Sequence, residues 1–382
     1  MEAFVGQDRQ PEARGSEASL VEAASGIMDV YSTEWVVHEE GARRRRVGPE
    51  PRLFQIRGRL MMDSEKAYDL LAPRFEAMGF TLAFRRGGGD HLALAIPGLV
   101  SRETSNTRTA TLLFVATLLS VLWIGALNNT QPGQPFSLWT GLPFALSLMG
   151  ILLAHEMGHY LVSRWLREPA SLPYFIPFPL PITLIGTLGA VIVSRSPSRS
   201  RRTLLLMGVA GPLVGLLVAV PVLVWGLTMS EVAMIPPGAG YFQEGNSILY
   251  AWLKFFVFGQ FLPYNGMDVF IHPVAFAGWV GLLVTGLNLI PAGQLDGGHM
   301  AYVLFGSRAR YIAWAVVAVL LVLSTQSLSW LLWAAIIVAI GRDHPTPLDD
   351  ITGLTTTEKA LAAFALLVVF PLVFTPIPIA FN

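Results

Sequence analysis

The chain has 382 residues with no cysteine, 53% hydrophobic and 14% charged residues, a formal net charge of zero and a mean hydropathy of +0.53. That balance excludes an ordinary soluble domain and predicts an α-helical polytopic membrane protein, while zero net charge removes any global electrostatic basis for nucleic-acid binding. Without cysteine there is no disulfide, iron–sulfur cluster, thiolate zinc site or thiol nucleophile, so any metal must be held by His, Asp or Glu.

In chain order, residues 1–50 are polar, contain the basic run RRRR at 43–46 and read as mostly disordered. Their first stretch lacks the apolar core of a signal peptide and the acid-poor character of a transit peptide, which favours a bacterial plasma membrane over a plastid. Residues 51–100 change pattern. RLFQIRGRL alternates like a strand, DSEKAYDLLAPRFEAMGF is helical behind Asp63 and Ser64, and TLAFRRGGGDHLALAIPG reads as a hairpin. This predicts a small α+β domain of βαββ type.

Apolar runs follow at 110–127, 138–166, 204–227, 273–290, 311–324, 328–341 and 360–379. Most are long enough to span a bilayer, giving about six to eight membrane segments. Residues 109–341 form the expected membrane-embedded core, and 342–382 a cytoplasmic loop with a C-terminal membrane helix. The apolar stretch 173–193 cannot be a regular helix, because Pro173, Pro177, Pro179, Pro181, Gly186 and Gly189 interrupt it. Irregular backbone at membrane depth must be covered by protein or line a cavity, so this stretch predicts a re-entrant loop or β-hairpin with GTLGAVIV as one strand. Arginines at 102, 108, 164, 167, 195, 199, 201, 202, 308, 310 and 342 fall in connections on one side, whereas the opposite loop NNTQPGQP has no basic residue and the long connection 229–271 only Lys254. The positive-inside rule then puts the N-terminal domain in the cytoplasm, together with the ends of the second and fourth spans.

The second run contains ILLAHEMGHYLV. A charged group at the centre of a bilayer costs about 2.5–3.5 kcal/mol even on insertion scales, so His155, Glu156 and His159 need a compensating interaction. Four residues apart on a helix, His155 and His159 share a face and can bind one metal, and Glu156 is turned aside to act as a base; HExxH is the metalloprotease spacing. A catalytic zinc needs a third protein ligand and an open position. The other polar cluster in an apolar run is GLNLIPAGQLDGGHM, where Pro291, Gly293, Gly297 and Gly298 break the helix. Asp296 is its best ligand, because a carboxylate adds negative charge to two neutral imidazoles.

HEMGH at 155–159, GTLGA at 186–190, AGPLVG at 210–215 and NLIPAGQLDGG at 288–298 together resemble the site-2 protease family, membrane-embedded zinc metalloproteases that cut within or beside the bilayer. The GQLDGG wording and the extra C-terminal spans are most similar to the plastid and cyanobacterial ethylene-dependent gravitropism-deficient and yellow-green-like branch. The resemblance implies Zn²⁺ on His155, His159 and Asp296, Glu156 as general base and then proton donor, and Asn288 as the group that holds the substrate carbonyl or oxyanion. Gly215 departs from the asparagine that many relatives carry there. His299 is expected beside the ligands rather than on the metal, and His38, His91, His272 and His344 receive no role. The polar Ser163–Arg164 end of the second span and the loop SRSPSRSRR at 194–202 are expected to admit water from the cytoplasm. Gly186, Thr187, Gly189, Ala190 and Val191 are expected to take unwound substrate by β-addition, the substrates being single-span membrane proteins in the lipid bilayer. A catalytically silent scaffold of the same fold would require a lost ligand or base, and none is lost. A divalent-metal transporter would spread its ligands along the membrane normal and show internal repeats, and none is visible.

Overall fold

The computed structural model describes residues 16–37, 52–99, 105–130, 133–178, 184–193, 197–235, 242–340 and 344–381. The chain divides into two compact units, one of Met1–Glu103, Ser194–Leu204 and Pro345–Thr355 and one of the remainder.

The first unit is a four-stranded antiparallel sheet, β1 (Met28–Val37), β2 (Arg52–Leu60), β3 (Phe80–Gly87) and β4 (Asp90–Pro97), in the order β1-β2-β4-β3. The turn from β3 to β4 uses Gly88 and Gly89, both at positive φ, as a two-residue hairpin of matching twist demands. Helix α1 (Glu17–Ala24) starts at Ser16, whose side chain accepts from the Ser19 amide. Helix α2 (Ser64–Ala77) is capped by Asp63, which accepts from Glu65 and Lys66. Leu20, Phe54, Ile56, Leu71, Phe75, Phe80, Leu82 and Phe84 make its core.

Within residues 1–50, which were expected to be mostly disordered, residues 16–37 carry regular structure. α1 and β1 add an αβ pair to the expected βαββ set, although 1–15 and 38–51, including His38 and the basic run, lie outside the described residues. β1 is an edge strand that buries Met28 and exposes most of its other side chains, and α1 buries only Leu20 and Ala24. Their hydrophobic periodicity is correspondingly faint. Residues of the 342–382 segment also belong here. Phe84 N donates to Leu348 O at 2.8 Å, Leu348 N to Ser198 O at 2.9 Å, and Arg85 to the carbonyls of Pro347 and Leu348. Two later loops therefore extend the sheet beyond β3, joined by the ion pairs Arg201–Asp350 and Arg199–Asp69.

The second unit contains α3 (Thr107–Asn129), α4 (Leu142–Trp165), strands β5 (Tyr174–Pro177) and β6 (Thr187–Val191), α5 (Arg201–Thr228), β7 (Glu231–Met234), β8 (Phe242–Glu244), α6 (Ile248–Phe258), β9 (Met267–Phe270), α7 (Pro273–Asn288), α8 (Asp296–Phe305), α9 (Ala309–Leu323), α10 (Ser329–Ile340), α11 (Thr356–Phe364) and β10 (Ile379–Phe381). Among the described residues five helices are long and apolar enough to cross a membrane: Thr107–Asn129, Leu138–Trp165, Arg201–Thr228, Asp296–Leu323 and Thr356–Val373. Helix α7 is central, with ten of its sixteen residues buried. Its Gly278 and Gly281 bring it against Leu223 of α5 and Ile151 of α4, where a β-carbon would fall at 2.6 and 2.8 Å. The final run ends earlier than its apolar length, at Val373, because Pro376 and Pro378 cannot continue a helix. The chain leaves it as β10, which pairs with β8.

Between β5 and β6 the hairpin expected at 173–193 is present, with Tyr174 opposite Val191 and Phe175 opposite Ala190. Its tip, 179–183, lies outside the described residues. The connection 229–271 is not a plain loop. β7 pairs antiparallel with β9, and α6 lies between them in sequence.

Candidate active site

The last three turns of α4 carry HEMGH, and helical spacing sets the His155 and His159 rings on one face, centroids 4.9 Å apart. His155 is 3% exposed and Glu156 8%. That face is buried because α5 lies unusually close. A β-carbon at Gly158 would stand 2.7 Å from the Ala210 carbonyl, one at Gly211 2.0 Å from His159 Nε2, and one at Gly215 3.0 Å from His155 Nδ1. Gly211 is therefore what leaves the His159 ring its place. His159 Nδ1 lies 2.7 Å from the Met207 carbonyl of α5, which fixes the ring and frees Nε2 to face Asp296.

Asp296 arrives from the other motif. After Asn288 the chain reverses through Gly293, at φ +59, and starts α8 at Asp296. Both following glycines are needed for this turn, since β-carbons would sit 2.0 Å from the Leu289 carbonyl at Gly297 and 2.4 Å from the Gly293 carbonyl at Gly298. The Asp296 carboxylate meets His155 Nε2 at 3.6 Å and His159 Nε2 at 3.3 Å, and the two imidazole nitrogens are 3.2 Å apart. Tetrahedral coordination with bonds of about 2.0–2.2 Å separates neighbouring donor atoms by roughly 3.4 Å. The triangle has that size, and two imidazoles with one carboxylate leave a fourth position open, so the donor set fits a catalytic Zn²⁺. Among the described residues this is the one cluster of three or more such side chains able to hold a metal. Asn288, the last residue of α7, places Nδ2 3.3 Å from His155 Nε2.

Of the remaining histidines, His299 lies one turn into α8 with its β-carbon against Gly208, outside the metal triangle. Its Nδ1 meets His344 Nε2 at 2.6 Å, and His344 stacks on Tyr302. His344 thus has a partner that its position in loop sequence did not announce. His272 caps α7 by accepting from Val274 N, and His91 accepts from Leu60 N. Ser163, expected at a water entrance, is fully buried and donates to the His159 carbonyl at 2.8 Å. Gly186, Thr187, Gly189, Ala190 and Val191 form β6 and its entrance, paired on one side only among the described residues. Ser120 Oγ donates to the Gly186 carbonyl, and the buried Thr187 hydroxyl donates to Ile176 O and accepts from Gly189 N. Ala190 packs on the core that includes Ile151 and Leu152, whereas Leu188 and Val191 are exposed. None of the five hydrogen-bonds to His155, His159 or Asp296 among the described residues.

Residues 143–324 match Peptidase family M50. The chain is 34% identical over 235 residues to the probable zinc metalloprotease EGY1, chloroplastic, of Arabidopsis thaliana (60% of this chain, 42% of the relative) and 31% identical over 247 residues to EGY2 of the same plant (63% and 43%). The EGY1 protein of Oryza sativa subsp. japonica is 30% identical over 322 residues (74% and 53%). The chain thus spans about half or less of these relatives' length. No solved structure matches it significantly. These relatives are chloroplastic by name, so the expected bacterial plasma membrane finds no support in them. Residues 143–324, which contain the His155–His159–Asp296 triangle and both motifs, thus match Peptidase family M50, and the chain is similar to chloroplast proteins named as probable zinc metalloproteases, the branch that those motifs resemble.

Proposed function

We propose that the chain is an intramembrane zinc metalloprotease that hydrolyses peptide bonds within or beside the transmembrane segments of single-span membrane proteins, as in regulated intramembrane proteolysis. The observation that carries this is the triangle of 3.2, 3.3 and 3.6 Å among His155, His159 and Asp296, formed at apolar depth with a buried glutamate adjacent. Three ionisable groups at that depth need a compensating interaction, and a bound divalent cation would supply it.

His155, His159 and Asp296 would hold the ion. When bound, Zn²⁺ supplies a Lewis acid that acidifies water and polarises a peptide carbonyl. Glu156 takes the proton of the attacking water and returns it to the departing amine. Asn288 donates from Nδ2 to the substrate carbonyl as negative charge develops on its oxygen. Substrate helices must unwind before cleavage, and β6 supports an extended strand: it is paired on one side, and the Thr187 hydroxyl and the Gly186 carbonyl brace it from within. By charge distribution, the N-terminal unit and the end of α4 near Arg164 lie on the side of the basic connections, cytoplasmic or its organellar equivalent.

The test is zinc content alongside cleavage of a model single-span substrate, for the parent protein and Glu156→Gln. The expected result is about one zinc per chain in both proteins, with cleavage in the variant down about 10²–10⁴-fold. Full cleavage by Glu156→Gln would remove the proposed base.

A further inference from the structure

In the connection between α5 and α7, helix α6 turns its one charged residue inward and an apolar, largely aromatic stripe outward. In α6 the single charged residue, Lys254, is 1% exposed and sits 4.6 Å over the ring of buried Tyr250. Beneath it the Tyr250 hydroxyl donates to Glu244 at 2.8 Å and Gln243 donates to Asp268 at 2.7 Å. The opposite stripe, one residue per turn, is Ile248, Trp252 and Phe256, exposed by 52, 48 and 75%. Past the Gly259 cap, Phe261 extends it, stacking on Phe255 at 4.8 Å and meeting Trp252 edge-on at 5.4 Å. A water-facing helix places its polar groups the other way round, and an exposed apolar face of this kind requires an apolar partner.

The surroundings say which partner. Trp225, in the last turn of the candidate span α5 that leads into this connection, is likewise 61% exposed. Helix α7 is only sixteen residues, about 24 Å against a hydrocarbon thickness of about 30 Å. The connection descends beside it: the indole of Trp279, within the second turn of α7, donates to the Gly245 carbonyl at 2.8 Å. Gly245, two residues ahead of the α6 cap Ser247, therefore lies level with the first turns of α7 and not beyond its end. Trp and Tyr concentrate at this depth, where one end of the ring is apolar and the other wet.

We propose that α6 lies in the interfacial layer of the bilayer, with the Ile248, Trp252 and Phe256 stripe and Phe261 against lipid and the lysine side against the protein. The occupant of this face is the lipid leaflet. A second copy of the chain, or water, would be a different outcome of the test. The inference uses the membrane embedding of the fold and not its hydrolytic chemistry, so cleavage assays neither support nor damage it.

Because the natural chain has no cysteine, a single introduced thiol is a unique label site. Trp252→Cys and Phe256→Cys, nitroxide-labelled in the full chain and reconstituted into phosphatidylcholine–phosphatidylglycerol vesicles, are read by electron paramagnetic resonance for collision with apolar oxygen and with a polar nickel chelate. Leu217→Cys, on the exposed side of mid-α5, is the deep-lipid reference and Glu231→Cys, exposed in β7, the aqueous one. If Phe256→Cys fails to fold, Ile248→Cys reads the same face. The expected oxygen-to-nickel ratio at 252 and 256 is several-fold above that at 231 and below that at 217. A ratio equal to that at 231 overturns the proposal in favour of water. Exclusion of both reagents with dipolar broadening between labels overturns it in favour of a second copy.

Discussion

Gly211 illustrates how a residue without a side chain governs the site. A methyl group there would stand 2.0 Å from His159 Nε2, the atom offered to the metal, and the backbone of α5 cannot retreat without losing the Met207 carbonyl that holds the same ring. Gly211→Ala should therefore lose most of its zinc and with it cleavage, whereas Gly150→Ala, in α4 with nothing within 4 Å, should match the parent in both metal content and activity. Equal zinc in the two variants would contradict the steric reading. Asn288 is open to a different measurement. If Nδ2 serves the developing oxyanion, Asn288→Ala keeps zinc and loses about 10²–10³ in kcat with KM little changed. If it merely ends α7, the variant instead loses thermal stability with kcat intact. His155, Glu156, His159 and Asp296 were all legible in the sequence, because ionisable residues are costly in an apolar run and so mark an interaction that compensates them. Gly211 stood inside the AGPLVG motif without a role of its own, Met207 was not marked at all, and His344 was given no role. A glycine or a backbone carbonyl carries no chemical signature of its own, and the partnership of His299 with His344 joins residues 45 apart.

Among the elements, the β5–β6 hairpin was the least helix-like apolar stretch, and its prolines and glycines announced it. Its internal bracing was not readable. Gly189 has φ +90 and donates its amide to Thr187 Oγ1, so proline there removes a donor and demands a φ near −65°. Gly189→Pro should depress cleavage of a helical transmembrane substrate strongly while leaving zinc content unchanged, since the hairpin contributes no donor to the metal triangle. Undiminished cleavage would exclude β6 as the strand that receives substrate. The elements missed in the sequence share one cause. α1 and β1 bury three side chains between them in the four-stranded unit, too few to write a period. α6 shows the same limit in another form: its one charged residue, Lys254, is on the buried side, so polarity alone would assign its faces the wrong way round, and burial distinguishes inner from outer.

At the scale of the molecule, metal and fold should be linked. Donors from α4 and α8 converge only in the folded chain, so a metal that binds the native state stabilises it by about 2.7 kcal/mol when free metal is a hundredfold above Kd. Chelation should lower Tm, zinc should restore it, and Glu156→Gln, which keeps all three donors, should show the same shift. A Tm indifferent to chelation would mean that the triangle does not hold metal. The sequence by itself determined the membrane class, the two motifs, their residue types and the broken hairpin, because each is a local departure from apolar periodicity and is written in consecutive residues. Only the tertiary structure decided that Asp296 closes a triangle with histidines 137 and 141 positions earlier, that α5 supplies the glycines and the carbonyl that orient them, and that α6 turns its lysine inward. Those facts depend on distances between segments far apart in the chain, and close packing of helices fixes such distances without leaving a pattern in either segment alone.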